Sequence, residues 1–193
     1  MNIILASKSQ RRKDLLKMID IPFKSYASNI DESIISSKYP KPIDLCRKLA
    51  ILKAKKISQK FKSDLVIGGD TIVAINNEIL GKPKNKFEAH QMLDKLSGQT
   101  HLVFTGISIQ CIDKKILKTF YEKTKVTFNN LSKRDINYYI SNCNPYDKAG
   151  GYGIQDMSSI FVDKIDGCFY NVVGLPISKF YKELKKLDII KFM

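Results

Sequence analysis

The sequence predicts an α/β fold: a mixed, partly antiparallel central sheet flanked by helices, with residues 1–193 forming a single domain. Three observations carry this. The runs DLVIGGDTIVAI (64–75) and THLVFTGISIQCI (100–112) have the length and apolar, β-branched content of strands. The stretches 7–19 (after an opening turn), 42–61, 86–96 and 132–141 read as helices. Tight turns at Asn76-Asn77 and Asp113-Lys114 join strands into hairpins, which makes part of the sheet antiparallel.

NIILA (2–6) reads as a short buried strand, followed by a turn and an amphipathic helix over 7–19 with Leu15, Leu16 and Ile19 on one face. PFKSYA (22–27) reads as a second strand. Residues 27–41 have weak periodicity and read as a loop carrying Asp31 and Glu32. Pro42 suits the first turn of a helix running to about Phe61. After the strand at 64–75, Asn76-Asn77 turns the chain into EILGKP, and a helix over 86–96 is stopped by Gly98. The strand at 100–112 pairs with a long partner at 115–128. A helix over 132–141, a Pro/Gly-rich loop (NPYDKAGGYG), two short strands and a final helix from about Pro176 complete the chain.

Composition narrows the function classes. No apolar stretch approaches the roughly 18–20 residues of a membrane helix. The start, MNIILASKSQRR, turns basic after a few apolar residues and does not read as a signal peptide. Cys46, Cys111, Cys143 and Cys168 are far apart and form no C-x-x-C pair. The expectation is a cytoplasmic protein with free thiols. With two histidines, His90 and His101, histidine-centred catalysis and a His-rich metal site are not expected. The net charge of +14 suits nucleic acid, an acidic small molecule, or no specific partner. Its lysines are spread along the chain without a dense basic block or a nucleic-acid-binding signature. Only four arginines occur, and two are adjacent, Arg11 and Arg12, which suggests a need for planar, bidentate geometry.

Polar residues in places the pattern calls buried mark the candidate site. In LASKSQRR a helix begins directly after a strand, so its N-terminal amides form a natural anion site. Arg12 shares the inward stripe of Leu15, Leu16 and Ile19, and Arg11 aligns with Leu15 and Met18. Helix capping by Ser9 with solvated arginines is the alternative. Lys53 lies near the centre of an apolar stripe with Cys46, Leu49, Ala50 and Ile57. It either faces an anion in a cleft or snorkels at the core edge. Asp70 interrupts a buried strand behind Gly68-Gly69, a pair that permits close backbone approach or a bulge. An acid there needs a partner or a task. Lys82 stands in a Gly-Pro turn, and no Walker motif is present. The loop PYDKAGGYGIQD (145–156) places Asp147, Lys148 and Gln155 among three glycines. Five cations (Arg11, Arg12, Lys53, Lys82, Lys148) suit a polyphosphate, and Glu32 with Asp70 suits a hard divalent ion such as Mg²⁺. That chemistry is metal-assisted attack of water on a phosphoanhydride with a carboxylate as general base.

Seven segments in order, LASKSQRRKDLL, DES, LAILKAKKI, VIGGDTIVAINNEILGKP, TGISI, YYISNCNPYDKAGGYGIQD and NVVGLP, give a chain that resembles the Maf-like nucleoside triphosphate pyrophosphatases over almost its whole length. The resemblance implies two lobes around a substrate groove, a Maf/ITPase-like arrangement. It also implies hydrolysis of a nucleoside triphosphate to the monophosphate and pyrophosphate with a divalent metal, Mg²⁺ or Mn²⁺. Asp70 would be the general base and touch the metal, and Glu32 would help hold it. Ser7, Arg12, Lys53 and Lys82 would hold the phosphates. Arg11, Thr71 and Gln155 match the subgroup that hydrolyses dTTP and UTP rather than 7-methyl-GTP. A homodimer belongs to the same expectation; a membrane or specific nucleic-acid partner does not. The family proline is replaced by Gln10, and its Gly-Glu before Pro145 by Cys143-Asn144. Same-family hydrolysis of 7-methyl-GTP, or a nucleic-acid-binding, cell-division regulatory role drawing on the charge, are the rival readings. Strict alternation puts Asp70 and Thr71 on opposite faces of their strand, so both reach one groove only if the strand bulges or ends near the glycines.

Overall fold

The sheet expected from the long apolar runs is present in a computed structural model of the chain, which describes residues 1–189. Its strands are β1 (Ile3–Leu5), β2 (Lys24–Ser25), β3 (Leu65–Ile75), β4 (Glu78–Leu80), β5 (Thr100–Cys111), β6 (Ile116–Phe128) and β7 (Val162–Asp166). They lie in the order β2-β1-β3-β5-β6-β7, with β4 also on β3. β1 runs parallel to β2 and β3, while β3–β4, β3–β5, β5–β6 and β6–β7 are antiparallel. Asn76 and Asn77 take left-handed backbone angles (φ 48° and 66°), the geometry of a tight hairpin turn between β3 and β4. Among the described residues no helix is long and apolar enough to cross a membrane.

The helices are α1 (Gln10–Met18), α2 (Glu32–Ser36), α3 (Pro42–Ser58), α4 (Lys86–Leu96), α5 (Lys133–Asn142), α6 (Phe169–Val173) and α7 (Ile177–Lys186). Their starts follow from side chains that satisfy free amides. Ser9 accepts from Arg12 N, Asn85 from Glu88 N, and Ser132 with Asp135 forms a capping box. Pro42 opens α3, as expected.

Four expectations need correction. Residues 27–41 are not all loop: Asp31 caps α2, and Glu32 is its first residue. α3 ends at Ser58, a turn before Phe61. The region before the last helix holds one strand, β7, and the short α6 instead of two strands. Of the line Arg11, Leu15 and Met18, only Leu15 faces the core: Met18 is 53% exposed and Arg11 is half-buried.

The apolar residues form separate cores on the two faces of the sheet. On one face, Leu65 and Ile67 pack with α1, α6 and α7, while Val73 and Ile75 pack with α4 and α5. On the other, Val66 belongs to a cluster with Ala54 and Ile57 of α3, and Ile72 and Ala74 to one with Leu45, Cys46 and Leu49. Residues 68–71 of β3 fall between the cores on both faces. A polar belt therefore crosses the sheet at one level, and the candidate site residues of β3 belong to it.

Candidate active site

β3 has one continuous neighbour and one interrupted edge. Against β5 its register is unbroken from Val66–Gln110 to Ala74–Leu102. On the opposite edge, β1 pairs with residues 65–67 and β4 with 73–75. The segment 68–72 has no strand partner on that edge among the described residues. Asp70 and Thr71 point to opposite faces and still open onto the same space, because the cleft straddles this free edge. The strand neither bulges nor ends there.

The two glycines admit the neighbouring elements. A Cβ at Gly68 would lie 2.2 Å from the Ala50 carbonyl oxygen, so only glycine lets α3 approach this closely. A Cβ at Gly69 would lie 2.9 Å from Arg12 Nε, so its absence makes room for the guanidinium on the other face.

On the α3 side, Lys53 is 9% exposed and Asp70 7%. Lys53 Nζ lies 2.6 Å from Asp70 Oδ1 and 2.7 Å from Glu32 Oε1. One ammonium thus bridges two carboxylates, and the lysine does not snorkel to open solvent. Burial raises Asp70 above the ordinary carboxylate range, against the pull of Lys53 and with a further push from Glu32. Burial also acts to raise Glu32, but Lys53, Lys82 and Arg12 together outweigh it and hold that carboxylate below its usual value. Asp70 is paired but not sealed, because it lines the cleft wall.

On the α1 side, Arg12 is 8% exposed. Its Nε donates to the Gly174 carbonyl (2.8 Å), Nη1 to Ser7 Oγ (3.3 Å) and Nη2 to Thr71 Oγ1 (2.9 Å). Burial lowers its pKa, and Asp70 partly offsets this; a guanidinium nevertheless stays charged. Three of five N–H groups are engaged, leaving one on each terminal nitrogen, the pair that grips two oxygens of one phosphate. Ser7 Oγ accepts from Arg12 and from Ser9 N, so its own proton is available to a ligand.

Arg11 leaves the core and bridges the cleft mouth. Its Nη1 donates to Asp147 Oδ2 (3.0 Å) and its Nη2 to the Asp147 carbonyl (3.3 Å). Lys148 braces the same loop through Asp147, Asp156 and the Asn144 carbonyl. Ser158 ties the far end by bonding both Gly153 and Asp156. This loop presents the exposed Gln155.

These residues enclose a cleft of about 500 Å³. It is lined by the nine residues to which the resemblance gives roles, Ser7, Arg11, Arg12, Glu32, Lys53, Asp70, Thr71, Lys82 and Gln155, and also by Asp147 and Lys148. Its size suits a nucleotide-sized ligand. An apolar stretch including Val73, Val103, Ile154 and Val172 lies beside the charged part. Sequence reasoning named Asp147 without pairing it with Arg11, and did not single out two participants: Thr105 behind Thr71, and Tyr152, which lines the cleft and bonds the buried His101 (2.7 Å). Thr105 and His101 had a signal. They are the polar members of the alternating face His101, Val103, Thr105, Ile107, Ile109.

The family described as Maf-like protein matches residues 2–187. A dTTP/UTP pyrophosphatase of Bacillus mycoides (strain KBAB4) is 47% identical over 186 residues, covering 96% of this chain and 95% of that protein. One of Bacillus anthracis (strain CDC 684 / NRRL 3495) is 48% identical over 187 residues, covering 97% and 96%. A solved structure, the Ham1 protein of Staphylococcus aureus, aligns with a TM-score of 0.46 at 18% identity, over 66% of this chain and 72% of that one.

Proposed function

The chain belongs to the Maf-like protein family, and from that premise we propose that it is a nucleoside triphosphate pyrophosphatase acting on dTTP and UTP, modified pyrimidine triphosphates included. The observation that carries this is the convergence of Arg12, Lys53 and Lys82 with the carboxylates of Asp70 and Glu32 in one cleft. The substrate pair is that of the relatives from Bacillus, and Arg11, Thr71 and Gln155 all line the cleft.

In the proposed reaction Asp70 accepts a proton from water as the water oxygen bonds to phosphorus. The anhydride bond between the α and β phosphates breaks, and pyrophosphate leaves. A carboxylate with a raised pKa is a better base near neutrality than an ordinary one. Arg12, Ser7, Lys53 and Lys82 supply donors and positive charge where the triphosphate carries its negative charge. Gln155 offers an amide that can both donate to and accept from a pyrimidine edge.

Glu32 and Asp70 are the residues that would hold a divalent ion. Two carboxylates meeting at one point form a hard-oxygen donor set that phosphate oxygens can complete, which suits Mg²⁺ or Mn²⁺. Such an ion would supply charge neutralisation of the phosphates. Lys53 bridges the two carboxylates, its single charge offsetting one of their two.

The experiment is a triphosphate panel with Mg²⁺, read as pyrophosphate release. dTTP and UTP should be turned over well above 7-methyl-GTP, and Gln155→Ala should narrow that preference. Preferred turnover of 7-methyl-GTP would overturn the specificity.

A further inference from the structure

Thr71 and Thr105 face each other directly across β3 and β5, with their hydroxyl oxygens 2.9 Å apart. Thr105 is fully buried, and its Oγ1 also lies 2.8 Å from the Asn171 carbonyl. A carbonyl can only accept, so the single Thr105 proton goes to Asn171. Thr105 must then accept from Thr71, and the single Thr71 proton is committed in turn. Thr71 therefore shows lone pairs to Arg12, whose Nη2 donates to it at 2.9 Å. The chain Arg12, Thr71, Thr105, Asn171 has one polarity, fixed at its buried end.

From this polarity we infer that Thr105 is a positioning residue for Arg12, acting through Thr71, and that the pair presets the guanidinium to receive a phosphate. The inference rests on the reading of the cleft as a triphosphate site. Without the Thr105 hydroxyl, Thr71 is free to rotate. Its proton can then face the Arg12 N–H, turning an attraction into a repulsion, and the two open N–H groups of Arg12 lose their fixed direction. Preorganised donors of this kind favour anion binding because no reorganisation is needed on binding. Thr71 also cannot donate to a ligand, so any contact it makes in the cleft is with a ligand N–H or O–H.

The test measures binding of inorganic tripolyphosphate by calorimetry, with dTTP turnover followed separately. Thr105→Val keeps the shape and removes the hydroxyl; it should weaken tripolyphosphate binding on the order of tenfold, the effect of one hydrogen bond to a charged group. Thr105→Ser should restore most of that loss. Thr71→Val should weaken binding to a similar extent, and adding Thr105→Val to it should cost nothing more, because the chain is already cut. Should Thr105→Val not fold, Thr105→Ala is read the same way. Wild-type binding by the hydroxyl-free variant, a serine variant as weak as valine, or multiplying effects of the two substitutions would overturn the inference. So would a wild-type protein that does not bind tripolyphosphate. If the pattern holds while wild-type protein leaves dTTP and UTP intact, the proposed reaction fails and the positioning role stands.

Discussion

Asp70 and Lys53 show how one pair of residues sets both chemistry and stability. Their ion pair borders the cleft, so water and ligand reach it, yet burial holds Asp70 above the usual carboxylate range. If Asp70 must be ionised to act, activity falls as pH drops through that raised value. The acid limb of kcat/KM should then lie above the ordinary carboxylate range of about 4, and a pH–rate profile reads it directly. Lys53→Met should leave two carboxylates without their shared cation and lower stability by roughly 1–3 kcal/mol, less than for a fully enclosed pair; urea denaturation measures it. His101 gives a second pH signature. It is 1% exposed, and burial depresses its pKa to about 4. The unfolded chain takes up a proton near pH 6.5 while the folded chain does not until about pH 4. Stability should therefore be complete above about pH 6.5 and fall by about 3 kcal/mol on acidification toward pH 4. In His101→Phe that slope should flatten.

At the scale of elements, the cleft exists because β1 and β4 cover only the two ends of one β3 edge and α3 seats itself on Gly68. Gly68→Ala would place a methyl 2.2 Å from the Ala50 carbonyl and 2.7 Å from Ala54 N, both backbone atoms that cannot move aside alone. The helix must lift, carrying Lys53 away from Asp70. We expect a loss of about 3 kcal/mol or more, seen as a lower Tm, together with weakened activity. Much of this layer was legible in advance. Periodicity located α4 at its observed bounds, and Ser9 and Pro42 stood at the starts of α1 and α3. What was not legible depended on long-range pairing. The length of β2 and the loss of an expected strand near α6 were settled by which neighbours were available. The same holds for the site. All nine candidates line one cleft, but the way Asp70 and Thr71 share it followed from the gap between β1 and β4, which no local pattern encodes. Arg11 was misdirected for a related reason: Asp147, 136 residues away, draws it to the cleft mouth.

For the whole molecule, the net charge of +14 acts as a field around a cleft that already collects cations. A triphosphate should be drawn in at a rate that falls with ionic strength, so KM for dTTP should rise between 50 and 300 mM salt, values spanning Debye lengths of about 14 to 6 Å. Substituting lysines far from the cleft should reduce that salt dependence without changing kcat. A function centred on nucleic acid would instead show a binding slope of about one log unit per phosphate contacted.

The reading of the cleft meets its sharpest test in the products of dTTP turnover by wild-type protein and by Asp70→Asn, followed by phosphorus NMR in the presence of Mg²⁺. We predict equal amounts of dTMP and pyrophosphate from the wild type. The asparagine variant should be slowed at least about a thousandfold, the scale expected of a lost general base, while still binding the nucleotide. Release of dTDP with orthophosphate, or a variant that keeps the wild-type rate, would contradict the assignment of Asp70 and of the bond that breaks.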